Sequence, residues 1–137
     1  MTAEKQELER QKQIKQRKKT IMVQVRNAMK MVDAKTTRIS EYETMQSKVK
    51  LAMDKLKEAR NNIIKANNEL KNAYTSTMAN QKSEKIRESQ QLIETMLVEL
   101  NTGVLPAIKS KIDQLNIEIR KHNRYIRDLQ HEFNSLG

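Results

Sequence analysis

Cysteine is absent from this sequence of 137 residues, so no disulfide framework, thiolate nucleophile or cysteine-based metal site is available to it, and the redox compartment cannot be read. Proline occurs once, at Pro106, and glycine twice, at Gly103 and Gly137. Architectures that depend on many tight turns therefore have no turn chemistry to draw on. The aromatics are Tyr42, Tyr74, Tyr125 and Phe133, with no tryptophan. Sandwiches and barrels need more aromatic and β-branched side chains than that. No apolar run approaches the roughly 18–20 residues of a membrane span, and Met1 to Glu9 is too charged for a secretory apolar core. The expectation is a soluble, cytoplasmic chain without a standard signal peptide, open to co-export with a partner.

What remains is a helix-forming composition with 36% hydrophobic residues, too few for a thick globular core in one domain of this length. Heptad periodicity supplies the organisation. Every seventh residue from Ile14 reads Ile14, Ile21, Ala28, Lys35, Tyr42, Val49, Leu56, Ile63, Leu70 and Thr77; eight of these ten are apolar, against about four expected by chance. Val25, Val32, Ile39, Met53 and Tyr74 widen the stripe, with Met45, Ala52, Ala59, Ala66 and Ala73 beside them. The spacing predicts a first arm over about residues 5–77, some 110 Å at ~1.5 Å per residue. Residues 33–40 are the place where it would divide, since Lys35 lies on the stripe and Ser40 with Glu43 has capping-box spacing, yet the register carries across them.

Beyond Thr77 the register changes to Ile86, Ile93 and Leu100, flanked by Leu92, Met96 and Leu97. A reversal at about 78–83 is expected, with Ser83 as the N-cap of a second arm over 83–136 and Glu84 and Glu88 in its positive first turn. Gly103 and Pro106 then sit as a C-cap and a helix start do, marking a kink or a turn at 103–106. After it, Leu105, Ile112, Ile119, Ile126 and Phe133, with Ile108, Leu115, Leu129 and Leu136, form the cleanest stripe, interrupted by His122. The fold class is all-α: a long antiparallel helical hairpin of coiled-coil character forming a single domain over 1–137.

The raw material for catalysis is poor, and no catalytic, metal or cofactor residues are assigned. His122 and His131 are nine apart, not the four that would let one helix face chelate a metal; His122 reads as interfacial and His131 as solvent-facing. The acidic residues alternate with lysine and arginine at spacings typical of solvated helix faces, as Asp54 and Glu58 do beside Lys55 and Lys57. A net charge of +10 would attract nucleic acid, an anionic membrane or an acidic protein. Its sharpest cluster, Lys12, Lys15, Arg17, Lys18 and Lys19, reads as an acidic-partner contact. A nucleic-acid role is disfavoured because no groove-entering motif or stacking platform accompanies it, and a membrane-surface role because the apolar face has no Trp or Phe anchor.

Function therefore falls to the apolar faces. The expected protein-binding residues are Ile112, Leu115, Ile119, Ile126 and Leu129 in the second arm, and Val49, Leu56, Ile63 and Leu70 in the first. Met22, Met29, Met31, Ile64, Leu92, Val98 and Val104 lie off the narrow seam. They either complete an internal bundle or form a second contacting surface, for which adaptable methionine is well suited.

Chain length, the missing cysteine, the scarce aromatics and the series Ile86, Ile93, Leu100, Val104-Leu105-Pro106-Ala107-Ile108, Ile112, Leu115, Ile119, Ile126, Leu129 resemble the small helical partner proteins of bacterial type VII secretion, more narrowly the helpers of LXG toxins. The resemblance implies a chaperone-like targeting partner for the helical N-terminal region of a toxin, acting with a second small helical protein. That family's Trp-x-Gly turn is missing here, its nearest equivalent being the segment from Asn101 to Pro106. Its aromatic-x-x-x-acid export motif is missing too: Tyr42, Tyr74 and Tyr125 are followed four residues on by Gln46, Met78 and Leu129. A companion of this kind would take its export signal from another subunit. The competing readings are a self-associating structural coiled coil and a basic nucleic-acid-associated helical protein.

Overall fold

The computed structural model describes the backbone of residues 2–73 and 76–137 and the side chains of residues 2–72 and 84–137. The fold is an all-α helical hairpin, with no strand among the described residues. Helix α1 spans Ala3–Ala73, α2 spans Ser76–Glu99, a π-helical segment covers Leu100–Val104, and α3 spans Leu105–Ser135. Residues 33–40 are helical throughout. Three serine or threonine hydroxyls at and beyond this stretch bond back to the carbonyl four residues earlier, as Thr36 does to Val32 at 2.8 Å and Thr37 to Asp33 at 3.0 Å; their polar groups are spent inside the helix rather than in capping it.

The second arm begins differently from the expectation. Its helical backbone starts at Ser76, so Ser83 lies inside α2 rather than at its N-cap. Without a glycine or proline between 78 and 83, nothing there stops a helix, and a serine with acidic neighbours is tolerated within one. The side chains of 78–83 lie outside the described residues.

Residues 103–106 form neither a cap nor a chain reversal. Glu99 and Leu105, on either side of the π segment, have right-handed helical dihedrals, and the Leu105 N–H donates to the Leu100 carbonyl five residues back. Pro106 follows immediately; its ring disfavours the carbonyl four residues earlier and it has no N–H to give, so a wider turn just before it relieves a conflict that an α-turn would hold. The Thr102 hydroxyl, in the same turn, donates to the Val98 carbonyl at 2.6 Å.

The π turn also corrects a register error. Upstream, the inward positions are Ile86, Gln90, Ile93, Leu97 and Leu100; continued in steps of three and four they would fall on Val104, Ala107 and Lys111, all exposed. The less exposed positions that follow are Leu105, Ile108 and Ile112. The second arm holds one residue more than its heptads can place, and an i, i+5 turn accommodates one extra residue without leaving the helix.

The chain divides into two compact units, Met1–Ser40 with Ile112–Gly137, and Glu41–Lys111. In the first, partners fall in number as residues of α1 rise: Arg17 meets Glu132 and Lys35 meets Glu118, so the helices run antiparallel. Its buried core is Ile21 and Ala28 from α1 and Ile126 and Leu129 from α3. In the second unit Ile63 and Ala66 lie beside Ile86 and Ser89, while Met53 and Arg60 lie beside Leu97 and Thr102, again antiparallel. Its core is Met53, Leu97 and Ile108. Both cores are one seam thick, as two-helix pairs of this composition must be. Polar groups interrupt them: Gln24 Oε1 in the first unit and Asn67 Oδ1 in the second are shielded from water and have no hydrogen-bond partner.

Candidate functional site: an open flank on the first unit

The seam of the first unit has two unlike flanks. On one, Arg17 Nε and Nη2 donate to the two carboxylate oxygens of Glu132 at 3.1 and 2.6 Å, and Lys35 Nζ donates to Glu118 at 2.9 Å. The fork-to-carboxylate geometry is the strong, directional form of an ion pair. Bonding to Glu132 raises the Arg17 pKa above its ordinary value, against an opposing effect of desolvation. The Lys35 hydrogen bond holds the Glu118 carboxyl below its ordinary value, against an opposing effect of desolvation and with help from a Gln114 hydrogen bond. Lys35, the polar member of the α1 stripe, thus carries its stem along the seam and its ammonium to the edge.

On the opposite flank the sequence supplies methionine where the first flank has charge. Met22 and Met29 stand one heptad apart on α1, facing Asn123 and Gln130, one heptad apart on α3. No ion pair crosses here among the described residues. A groove of about 510 Å³ opens instead, lined by Ile21, Met22, Val25, Arg26, Met29, Gln130, Phe133 and Asn134. A second, of about 460 Å³, lined by Met29, Val32, Asp33, Asn123, Ile126, Arg127 and Gln130, shares Met29 and Gln130 with it, so the two run on as one trough. Its floor is the seam itself and its wall is methionine, with Met22 53% and Met29 49% exposed.

The expected protein-binding residues sit in the intramolecular seams. Ile126 and Leu129 are buried and Ile112, Leu115 and Ile119 half-buried against α1 in the first unit; Val49, Leu56, Ile63 and Leu70 are half-buried in the second. These side chains hold the chain to itself. The expected acidic-partner cluster is divided: Arg17 is engaged by Glu132, Lys18 lies over the Phe133 ring with Nζ 5.2 Å from its centroid, and Lys12, Lys15 and Lys19 are exposed. His122 is half-buried in the seam and His131 exposed. The seven apolar residues left off the seam, Met22, Met29, Met31, Ile64, Leu92, Val98 and Val104, are all exposed, so none completes an internal bundle. No helix among the described residues is long and apolar enough to cross a membrane.

The fold and this flank define a class, an all-α protein whose helices pair through single heptad seams and leave apolar side chains outside them. Compared with known proteins, the chain matches no family model, no curated protein and no solved structure.

Proposed function

We propose that this chain is a non-enzymatic helical adaptor that binds a client protein, and that it serves as a chaperone-like targeting partner of a secreted toxin in type VII secretion. The observation that carries the adaptor reading is the apolar surplus: Met22, Met29, Met31, Ile64, Leu92, Val98 and Val104 are exposed although the seams are already filled by other residues. Single exposed apolar residues are ordinary, but a methionine pair at heptad spacing beside a trough is the surface a partner helix packs on. The attribution to type VII secretion and LXG toxins is supported by the heptad pattern, the chain length and the residue classes missing from the sequence.

Affinity purification of the tagged chain from its source cells, followed by identification of stoichiometric partners, tests both levels. The expected result is a larger protein with a helical N-terminal region, accompanied by a second small helical protein. A chain that purifies alone contradicts the adaptor reading; a stoichiometric client without a toxin's domain organisation contradicts the secretion assignment.

A further inference from the structure

The methionine flank of the first unit is chemically one-sided. The trough's lining holds Arg26 on α1 and Arg127 on α3 against one acid, Asp33, and the exposed Lys15 stands one heptad before Met22 on α1. None of these three cations holds an ion pair among the described residues. Of the four acids that α3 gives this unit, Asp113, Glu118, Asp128 and Glu132, two are engaged on the other flank, Glu118 by Lys35 and Glu132 by Arg17. An apolar trough with unneutralised positive rims is thus left on one side only.

We propose that this trough takes a single amphipathic helix of another protein, with acidic residues flanking its apolar stripe, as the third helix of a local bundle. The inference rests on the adaptor reading and names its partner's chemistry. Methionine thioethers supply an adaptable apolar wall for the stripe, and the cationic rims complement carboxylates on either side of it, steering encounter and rejecting partners of the wrong sign. The α1 wall from Ile21 to Asp33 is about 20 Å long at ~1.5 Å per residue, so about two heptads of the partner are read. A second copy of this chain is a poor occupant: fifteen Lys and Arg against eight Asp and Glu give this unit a net charge of +7, and like rims would repel. Nucleic acid would engage the rims and leave Met22 and Met29 exposed.

The test is a binding titration of the full chain with labelled synthetic helices of about three heptads, identical in their leucine stripe and flanked by Glu in one and Lys in the other, with duplex DNA as a third probe. The Glu-flanked helix is expected to bind at least ~10-fold more tightly than the Lys-flanked one. Met22→Gln with Met29→Gln, neutral changes at half-exposed positions that leave the helical spectrum intact, should weaken it by ~10-fold or more. Leu51→Gln, exposed in the other unit, should not. Arg26→Glu with Arg127→Glu should invert the preference between the two peptides. Equal binding of both peptides, full retention by the methionine double variant, tighter binding of DNA than of the Glu-flanked helix, or a dimer of the free chain that the methionine change dissolves would each overturn the proposal. A client that co-purifies equally with the methionine double variant removes this site and leaves the adaptor reading standing. Methionine-dependent binding of the Glu-flanked helix without a co-purifying client supports the site and removes that reading.

Discussion

Arg17 and Glu132, 115 residues apart in sequence, are joined by two parallel hydrogen bonds, Nε to Oε1 and Nη2 to Oε2. A fork of this kind fixes orientation as well as distance, so it pins the register of α1 against α3 on the flank facing away from the methionines. Arg17→Glu should lower the unfolding temperature by placing like charges together, and Arg17→Lys should lower it less, keeping charge and losing the fork. Combining Arg17→Glu with Glu132→Arg should recover most of the loss. Thermal unfolding of the four chains followed by circular dichroism checks this.

The Glu118 carboxyl is held below its ordinary value of 4.5, chiefly by the Lys35 hydrogen bond. Its contribution to stability is therefore complete above that ordinary value and is lost as pH falls through the lower folded value. Between pH ~5 and pH ~3 the unaltered chain should lose more stability than Glu118→Gln, which has no proton to take up. Parallel pH-dependent melts of the two chains should converge at the acid end; equal slopes would show that the pair is not formed in solution.

Burial separates the apolar residues sharply. Ile21 is 1% exposed and Leu92 63%. Ile21→Ala should cost about 2–5 kcal/mol, as truncation of a buried aliphatic does, while Leu92→Ala should stay within about 0.5 kcal/mol. Urea denaturation of the two variants measures the difference, and in a chain with single-seam cores the Ile21 change approaches the whole stability of a marginal domain.

The extra residue held in Leu100–Val104 gives a deletion test. Removing Gly103, which has open space around its Cβ position, lets Leu100 and Leu105 fall into direct heptad step and the turn close as α. Removing the exposed Lys121 instead throws Ile126, Leu129 and Phe133 out of register with Leu115 and Ile119. The first deletion should leave the melting temperature unchanged or higher, and the second should abolish cooperative unfolding. Equal damage from both would show that the π turn carries no register correction.

Much of the fold was legible because a heptad stripe is a direct imprint of a seam. The α1 stripe from Ile14 to Leu70 holds through residues 33–40, and its one charged member, Lys35, is accounted for by Glu118. The π turn was legible in principle, from the five-residue step between Leu100 and Leu105, but Gly103 and Pro106 carry the stronger local signature of a cap and a start. Ser83 misled for a similar reason: a capping residue shows where a helix can begin, and only a breaker forces it to. The division of the basic cluster was not readable from one helix. Arg17 and Lys15 are two residues apart, yet which flank each occupies depends on the register of α3, set by contacts such as Glu132 and Phe133. The asymmetry between a charge-closed flank and a methionine flank is a property of the pair of helices, so it emerges only when both are in place.

The central claim is that the methionine flank is a client-binding surface, and site-specific photocrosslinking in the source cells tests it most directly. A photoreactive residue placed at Met29, in the shared part of the trough, should give one dominant adduct with a different polypeptide, whose crosslinked segment is an amphipathic helix with acidic flanks. The same residue placed at Leu51, comparably exposed but not in the lining of this trough, should give no adduct. Crosslinks from Met29 only to a second copy of the chain, or the same adduct from both positions, would contradict the account.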